Sequence, residues 1–320
     1  MKKRRETMHP KTLIAAISFS IIIGLSFLFV KWTLSTASPL ETLAHRFTIA
    51  WVGASLILLF QKRRIRIQKQ HLSLFLMIAL LYPVLFFGFQ VYGLSYISSS
   101  QAGIFQAIVP IFTLILASLL LKESSTSKQK LGIAFSVVGV VYLMINMNGE
   151  QGLTNFWGSL LIIFSSLSIA FYHVLVRKLT KHYTPFQLTY IITLFGFVFF
   201  NAFSLGSRIL NGSVESYFES FASREFILSI LYLSLLSSLL TSFLSNYVLA
   251  KIPAVQMSIF SNLATLITVL AGVVFLQEAF LLHHFIGAFL ILLGIYFVNF
   301  SRKSKQIKEG NVCLSKDSEI

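Results

Sequence analysis

The side chains that could act on a small molecule are scattered along the chain: Phe27, Arg46, Gln106, Tyr172, His173, Tyr190 and Asn262. Arg46 most needs an explanation. It lies inside an apolar run, residues 40–60, where a guanidinium costs about 3 kcal/mol or more in lipid. Its fork of donors suits a carboxylate or phosphate held by two parallel bonds. The alternatives are outward snorkelling to the membrane surface or pairing with Glu41, about one turn away. Gln106 and Asn262 fall near the middle of two other apolar runs. Their amides can bind a zwitterionic or amide-bearing solute, or form an interhelical bond of about 0.6 kcal/mol. His173, beside Tyr172, is of the type that ordinarily changes charge near neutrality and so suits proton coupling; a neutral hydrogen-bonding role is the other use. Phe27 and Tyr190 could line a pathway, but with 32 Phe in the chain an aromatic ring discriminates poorly. Gln90, Gln101 and Asn246 stand nearer the run ends and read as packing or rim residues.

Other chemistries lack their residues. Cys313 is the one cysteine and Asp317 the one aspartate, both in the polar tail. Paired aspartates, intrachain disulfides and thiolate metal sites are excluded, and no metal or cofactor is expected. H-E-x-x-H, C-x-x-C, G-x-S-x-G and G-x-x-x-x-G-K-[ST] are absent, which removes support for metal hydrolysis, thiol exchange, a hydrolase elbow and a nucleotide loop. A membrane-embedded transferase built on Arg46 and His173 remains the enzymatic alternative. A channel or sensor is another, without a charged ring motif or an output domain in its favour.

The elements that must position these residues follow from composition. Of 320 residues, 56% are hydrophobic and 12% charged, against roughly 25% charged for a soluble domain. Lipid is therefore the solvent for most of the chain. Ten apolar runs are long enough to cross a bilayer as helices: 12–30, 40–60, 72–92, 95–121, 131–147, 154–176, 185–205, 226–249, 252–277 and 281–300. The connection 206–225 could hold one surface helix at most. Lys2, Lys3, Arg4 and Arg5 before the first run, with Ser35-Thr36-Ala37 after it, raise a signal peptide, but the run exceeds the usual 7–15 residues. With the N-terminus inside, the inner segments carry 22 Lys and Arg against three outside, Lys31, Arg208 and Arg224. That asymmetry places both termini in the cytoplasm of a multi-pass cell-membrane protein. The net charge of +15 is accounted for by these loops and needs no nucleic acid.

The halves resemble each other. A shift of 155 pairs Ile104, Phe105, Thr113, Leu121, Glu123, Gly132 and Gly139 with Ile259, Phe260, Thr268, Leu276, Glu278, Gly287 and Gly294. Pro110 meets Thr265 in this register. Each half has five spans, an odd number, so the second must enter the membrane inverted, as in many secondary transporters with a substrate site between the halves. The expected fold is all-α, ten transmembrane helices in two inverted five-helix repeats, 12–147 and 154–300, flanked by a basic N-terminus 1–11 and a tail 301–320. Glu123 and Glu278 read as structural carboxylates at helix ends. Gly132 with Gly139, and Gly287 with Gly294, lie seven apart on one helix face and mark a packing seam or a homodimer contact through the fifth and tenth helices. Pro110 removes a backbone bond and bends the fourth helix.

The stretch Ala102 to Glu123 with Pro110 central, the following Gly132 and Gly139, and Gly24-Leu25-Ser26-Phe27 through Lys31, Pro39 and Arg46 resemble the EamA-type permeases of the drug/metabolite transporter superfamily. The resemblance spans roughly residues 12–300, and Thr265 in place of a second proline departs from it. It implies a permease that moves a small organic metabolite, such as an amino acid or related solute, often outward and without ATP hydrolysis.

Overall fold

The computed structural model describes residues 9–61, 68–121, 127–146, 152–212, 214–294 and 296–297. Among them all regular structure is helical. In chain order the long apolar helices are α1 (Pro10–Leu34), α2 (Pro39–Phe60), α3 (Lys69–Tyr96) and α4 (Ser99–Leu120), then a shorter α5 (Lys130–Asn146). They continue as α6 (Asn155–Leu179), α7 (Pro185–Leu210), α8 (Arg224–Leu249) and α9 (Ala254–Phe275), then a shorter α10 (Leu282–Gly294). Eight of these are long and apolar enough to cross a membrane, while α5 and α10 are shorter apolar helices. The connection after α7 is tighter than a surface α-helix: it folds as a 3-10 segment, Val214–Ala222.

Local signals set the helix starts. Ser98 and Thr184 each form a reciprocal capping box, with Gln101 and Gln187, which satisfies end donors that lipid cannot. Pro10 and Pro185 open α1 and α7, where the missing N–H costs nothing. Large apolar side chains such as Phe60 and Leu210 point outward, 86% and 88% exposed, as expected of a lipid-facing surface.

Among the described residues three helices depart from regular geometry, each near the middle. Tyr82, preceding Pro83, leaves the helical region at φ −146° and ψ 108°, because the proline ring crowds the residue before it out of the α region. In α4 a turn at Ala107 and Ile108 separates two helical pieces; Pro110 has no N–H to return to the Gln106 carbonyl. In α8, Tyr232–Leu240 winds as a wider π-type turn.

The packing has a simple order. The first half touches the second along α1–α9, α2–α7, α2–α8 and α4–α9, while α6 packs on α3 and α4. Exchanging α1–α5 for α6–α10 turns α1–α9 into α6–α4, α3–α6 into α8–α1 and α2–α8 into α7–α3, and all of these contacts are present. The glycine seam lies between α5 and α10 of one chain. A Cβ on Gly294 would strike the Gly132 carbonyl and Ser136 Oγ, and one on Gly139 would come within 3.0 Å of the Gly287 carbonyl. These glycines face each other within the chain, as a packing seam between the two helices.

Candidate functional site

A narrow cavity of about 40 Å³ lies between the halves, walled by α1, α3 and α4 from one and α6, α8 and α9 from the other. Its walls are mostly apolar, with Phe19 and Phe27 on α1 and Tyr82 and Phe86 on α3. Both proline-linked breaks face it: Tyr82 is the non-helical residue of α3, and Gln106 is the last residue before the turn in α4. Interrupted helices of this kind are tolerated in lipid only where they face protein or a cavity.

Three buried polar side chains on the lining lack hydrogen-bond partners among the described residues: Gln106 at Nε2, His173 at both ring nitrogens, and Ser245 at Oγ. They come from α4, α6 and α8. Two other polar liners are engaged. Thr265 Oγ1 donates to the Gly103 carbonyl at 3.1 Å and Thr268 Oγ1 to the Gly24 carbonyl at 2.9 Å. Thr265, opposite Pro110 in the repeat register, thus ties α9 to α4 by a side-chain bond. Small residues permit this approach: a Cβ on Gly24 would lie 2.7 Å from Ile267 Cβ.

Arg46 is fully buried and does not line the cavity. Neither snorkelling nor a pair with Glu41 describes it. Its Nε donates to Ser238 Oγ at 2.7 Å and its Nη2 to Ser237 Oγ at 2.9 Å, both on the widened turn of α8. The guanidinium carbon sits 4.1 Å over the Phe87 ring, and Nη1 has no partner among the described residues. Among the described residues Arg46 has no carboxylate partner. Glu41 instead accepts from Arg208 Nη2 at 2.7 Å and Ser220 Oγ at 2.5 Å. These bonds fix the 3-10 segment over the start of α2, helped by His45 Nε2 at 2.9 Å from the Tyr217 carbonyl. Burial raises the Tyr217 phenol above its ordinary pKa, and its hydroxyl donates to Asn201 Oδ1 at 2.7 Å.

The remaining sequence candidates separate. Phe27, Gln106 and His173 meet at the cavity. Tyr172 does not line it; its hydroxyl donates to Asn246 Oδ1 at 2.6 Å, and Asn246 reaches Thr189. Tyr190 packs beside Ala50, Ala54 and Leu239. Asn262 has a buried Oδ1 without a partner among the described residues, while its neighbour Ser261 lines the cavity. Glu278 caps α4, accepting from the Ser99 N–H at 2.7 Å and the Ser100 N–H at 2.8 Å. Its repeat mate Glu123 lies outside the described residues.

Sequence reasoning missed the polar face of α8. Ser234, Ser237, Ser238, Thr241, Ser242 and Ser245 are all buried, at spacings of three and one that keep them on one helical face. This periodicity of hydroxyls inside an apolar run was the available signal. It carries the Arg46 ligands, the Tyr82 partner Ser242 at 3.0 Å, and the cavity liner Ser245.

Comparison with known proteins adds to this geometry. The profile of the EamA-like transporter family matches residues 10–145 and again 156–300. An "Uncharacterized transporter YcxC" of Bacillus subtilis is 45% identical over 297 residues, covering 93% of this chain and 95% of the relative. An "Uncharacterized transporter" of Archaeoglobus fulgidus is 29% identical over 276 residues, 86% of this chain and 94% of the relative. A solved structure titled only "Crystal structure of protein" superposes with a TM-score of 0.65 at 15% identity, covering 92% of this chain and 98% of the other; that likeness concerns the fold alone.

Proposed function

Since the chain belongs to the EamA-like transporter family, we propose that it is a secondary transporter that carries a small organic metabolite by alternating access, without ATP. The observation that carries this reading is the cavity wall. Helices α1, α3 and α4 line it from one half and α6, α8 and α9 from the other, and these are matching members of the two fives. Inverted repeats around a midplane site supply two equivalent arrangements of one cavity, one open to each side. The exchange-symmetric packing, the double match of the family profile and the Lys and Arg asymmetry of the loops support ten crossings with both termini in the cytoplasm. In this reading α5 and α10 are the fifth and tenth crossings, joined by their glycines. Outward movement across the cell membrane is the direction the family resemblance favours.

Within this mechanism Gln106, His173 and Phe27 face the solute. Arg46 ties α2 of the first half to the widened turn of α8 in the second. The Glu41–Arg208 pair with Ser220 closes the end opposite the termini. Opening that end requires the 3-10 segment to part from α2.

The test is a flux screen of labelled metabolites in proteoliposomes containing the purified protein. Saturable uptake accelerated by unlabelled solute inside the vesicle is expected, and only in sealed vesicles. Non-saturable flux without counterflow would replace the carrier by a pore. Product formation in open detergent micelles would replace it by an enzyme.

A further inference from the structure

The cavity has a chemical signature that bears on what it takes. Gln106 Nε2, both nitrogens of His173 and Ser245 Oγ are buried donors or acceptors with no partner among the described residues, and all three side chains are at least nine-tenths buried. A buried polar group without a partner is unfavourable in a low-dielectric interior. Partners must therefore come from what occupies the cavity. The amide nitrogen of Gln106 can only donate. A neutral imidazole donates from one nitrogen and accepts at the other, and a hydroxyl does both. The occupant must then present both an acceptor and a donor.

What the lining lacks is equally specific. Among the lining residues there is no Asp, Glu, Lys or Arg. The guanidinium of Arg46 is engaged with Ser237, Ser238 and the Phe87 ring and is not among them. A carboxylate, phosphate or ammonium entering this space would lose its hydration shell without gaining an opposite charge. Much of the remaining wall is apolar, with Phe19, Ile23, Phe27 and Phe86 set against Val109 and Ile169. It suits the apolar part of a small solute.

We infer that the cavity binds an uncharged, largely apolar solute bearing one amide-like group, a carbonyl beside an N–H or O–H, held by Gln106, His173 and Ser245. This rests on the transporter reading and narrows it, because free amino acids and organic acids fall outside the class. The carbonyl accepts from Gln106 Nε2–H, the adjacent donor meets the bare imidazole nitrogen, and the apolar part lies against Phe27 and Phe86.

Matched probes test it. The full-length protein in lipid nanodiscs is titrated with benzamide, phenylacetamide and 2-oxindole, and with benzoate, phenylacetate, benzylammonium and phenylalanine of similar size. The neutral amides are expected to bind about tenfold or more tightly than their charged counterparts, the order of effect of leaving one buried polar group unmatched. Gln106→Leu and His173→Phe should each weaken amide binding about tenfold, while Gln187→Ala, in an exposed cap, should not. Equal or tighter binding of the charged probes overturns the inference, as does amide binding insensitive to both cavity variants at retained folding, or no amide binding at all. Saturable counterflow of a charged probe would overturn it and leave the transporter reading intact. Amide binding that depends on both cavity residues, without counterflow of the bound amide, would support it and remove the transporter reading.

Discussion

Replacing Glu278 by glutamine removes the carboxylate that terminates α4 from the far half of the chain. Glu278 Oε1 accepts from the Ser99 N–H at 2.7 Å, and Oε2 accepts from the Ser100 N–H at 2.8 Å and Ser100 Oγ at 2.6 Å. The next donor, the Gln101 N–H, goes to Ser98 Oγ at 3.1 Å. The first donors of α4 are thus all accounted for. Glutamine keeps one oxygen and turns an NH2 group toward the other N–H, leaving that donor unpaired at about 1–3 kcal/mol. Losing a negative charge at a helix N-terminus adds about 0.5–1 kcal/mol. Glu278 is partly exposed, so the lower part of the sum is expected, about 2 kcal/mol. Equilibrium unfolding in mixed micelles, followed by circular dichroism, reads this out. Ser100→Ala in the Glu278→Gln background should cost less than in the wild type, because the two share a bond. An unfolding free energy within about 0.5 kcal/mol of wild type, or strict additivity of the pair, would refute the assignment.

Gly294→Ala should destabilise by about 1–3 kcal/mol, since its Cβ meets the Gly132 backbone and Ser136 Oγ and a packed seam resists added volume. Gly88→Ala, with nothing within 4 Å of the added Cβ, should be neutral or slightly stabilising in the same unfolding assay; equal losses for the two would remove the seam. Arg46→Met should leave insertion and unfolding nearly unchanged, within about 1–2 kcal/mol, because the lost bonds to Ser237 and Ser238 are offset by relief of a buried charge. Flux in proteoliposomes should nonetheless fall, as the tie between α2 and α8 is gone; wild-type flux would retire that role.

Helix placement was legible because lipid imposes a simple rule, long runs without charge, and the run ends fell close to the helix ends. The break in α4 was legible from Pro110 because proline acts through its own backbone. The partner of Arg46 was not. A guanidinium in an apolar run suggests Glu41, its near neighbour, while the ligands lie on a helix 191 and 192 residues away. The same distance hid the role of Glu278, readable as a helix-end carboxylate but not as the cap of a helix 179 residues earlier. Gln106 and His173 were visible as polar residues in apolar runs, and so was Tyr190, which packs elsewhere. Residue type gives the cost of burying a side chain; only the fold says which space it faces. The hydroxyls of α8 were overlooked because serine is nearly neutral in hydropathy and leaves the apolar run unbroken.

Thiol accessibility tests the shared cavity most directly. Cys313 is the single cysteine, so Cys313→Ser gives a background without thiols. Ser245→Cys on α8 and Ser261→Cys on α9 then place one thiol at a time on the cavity lining. A membrane-impermeant thiol reagent applied separately to sealed right-side-out and inside-out vesicles should modify each position from either side. Modification from one side only at both positions, or from neither, would contradict a cavity that opens alternately to the two faces of the membrane.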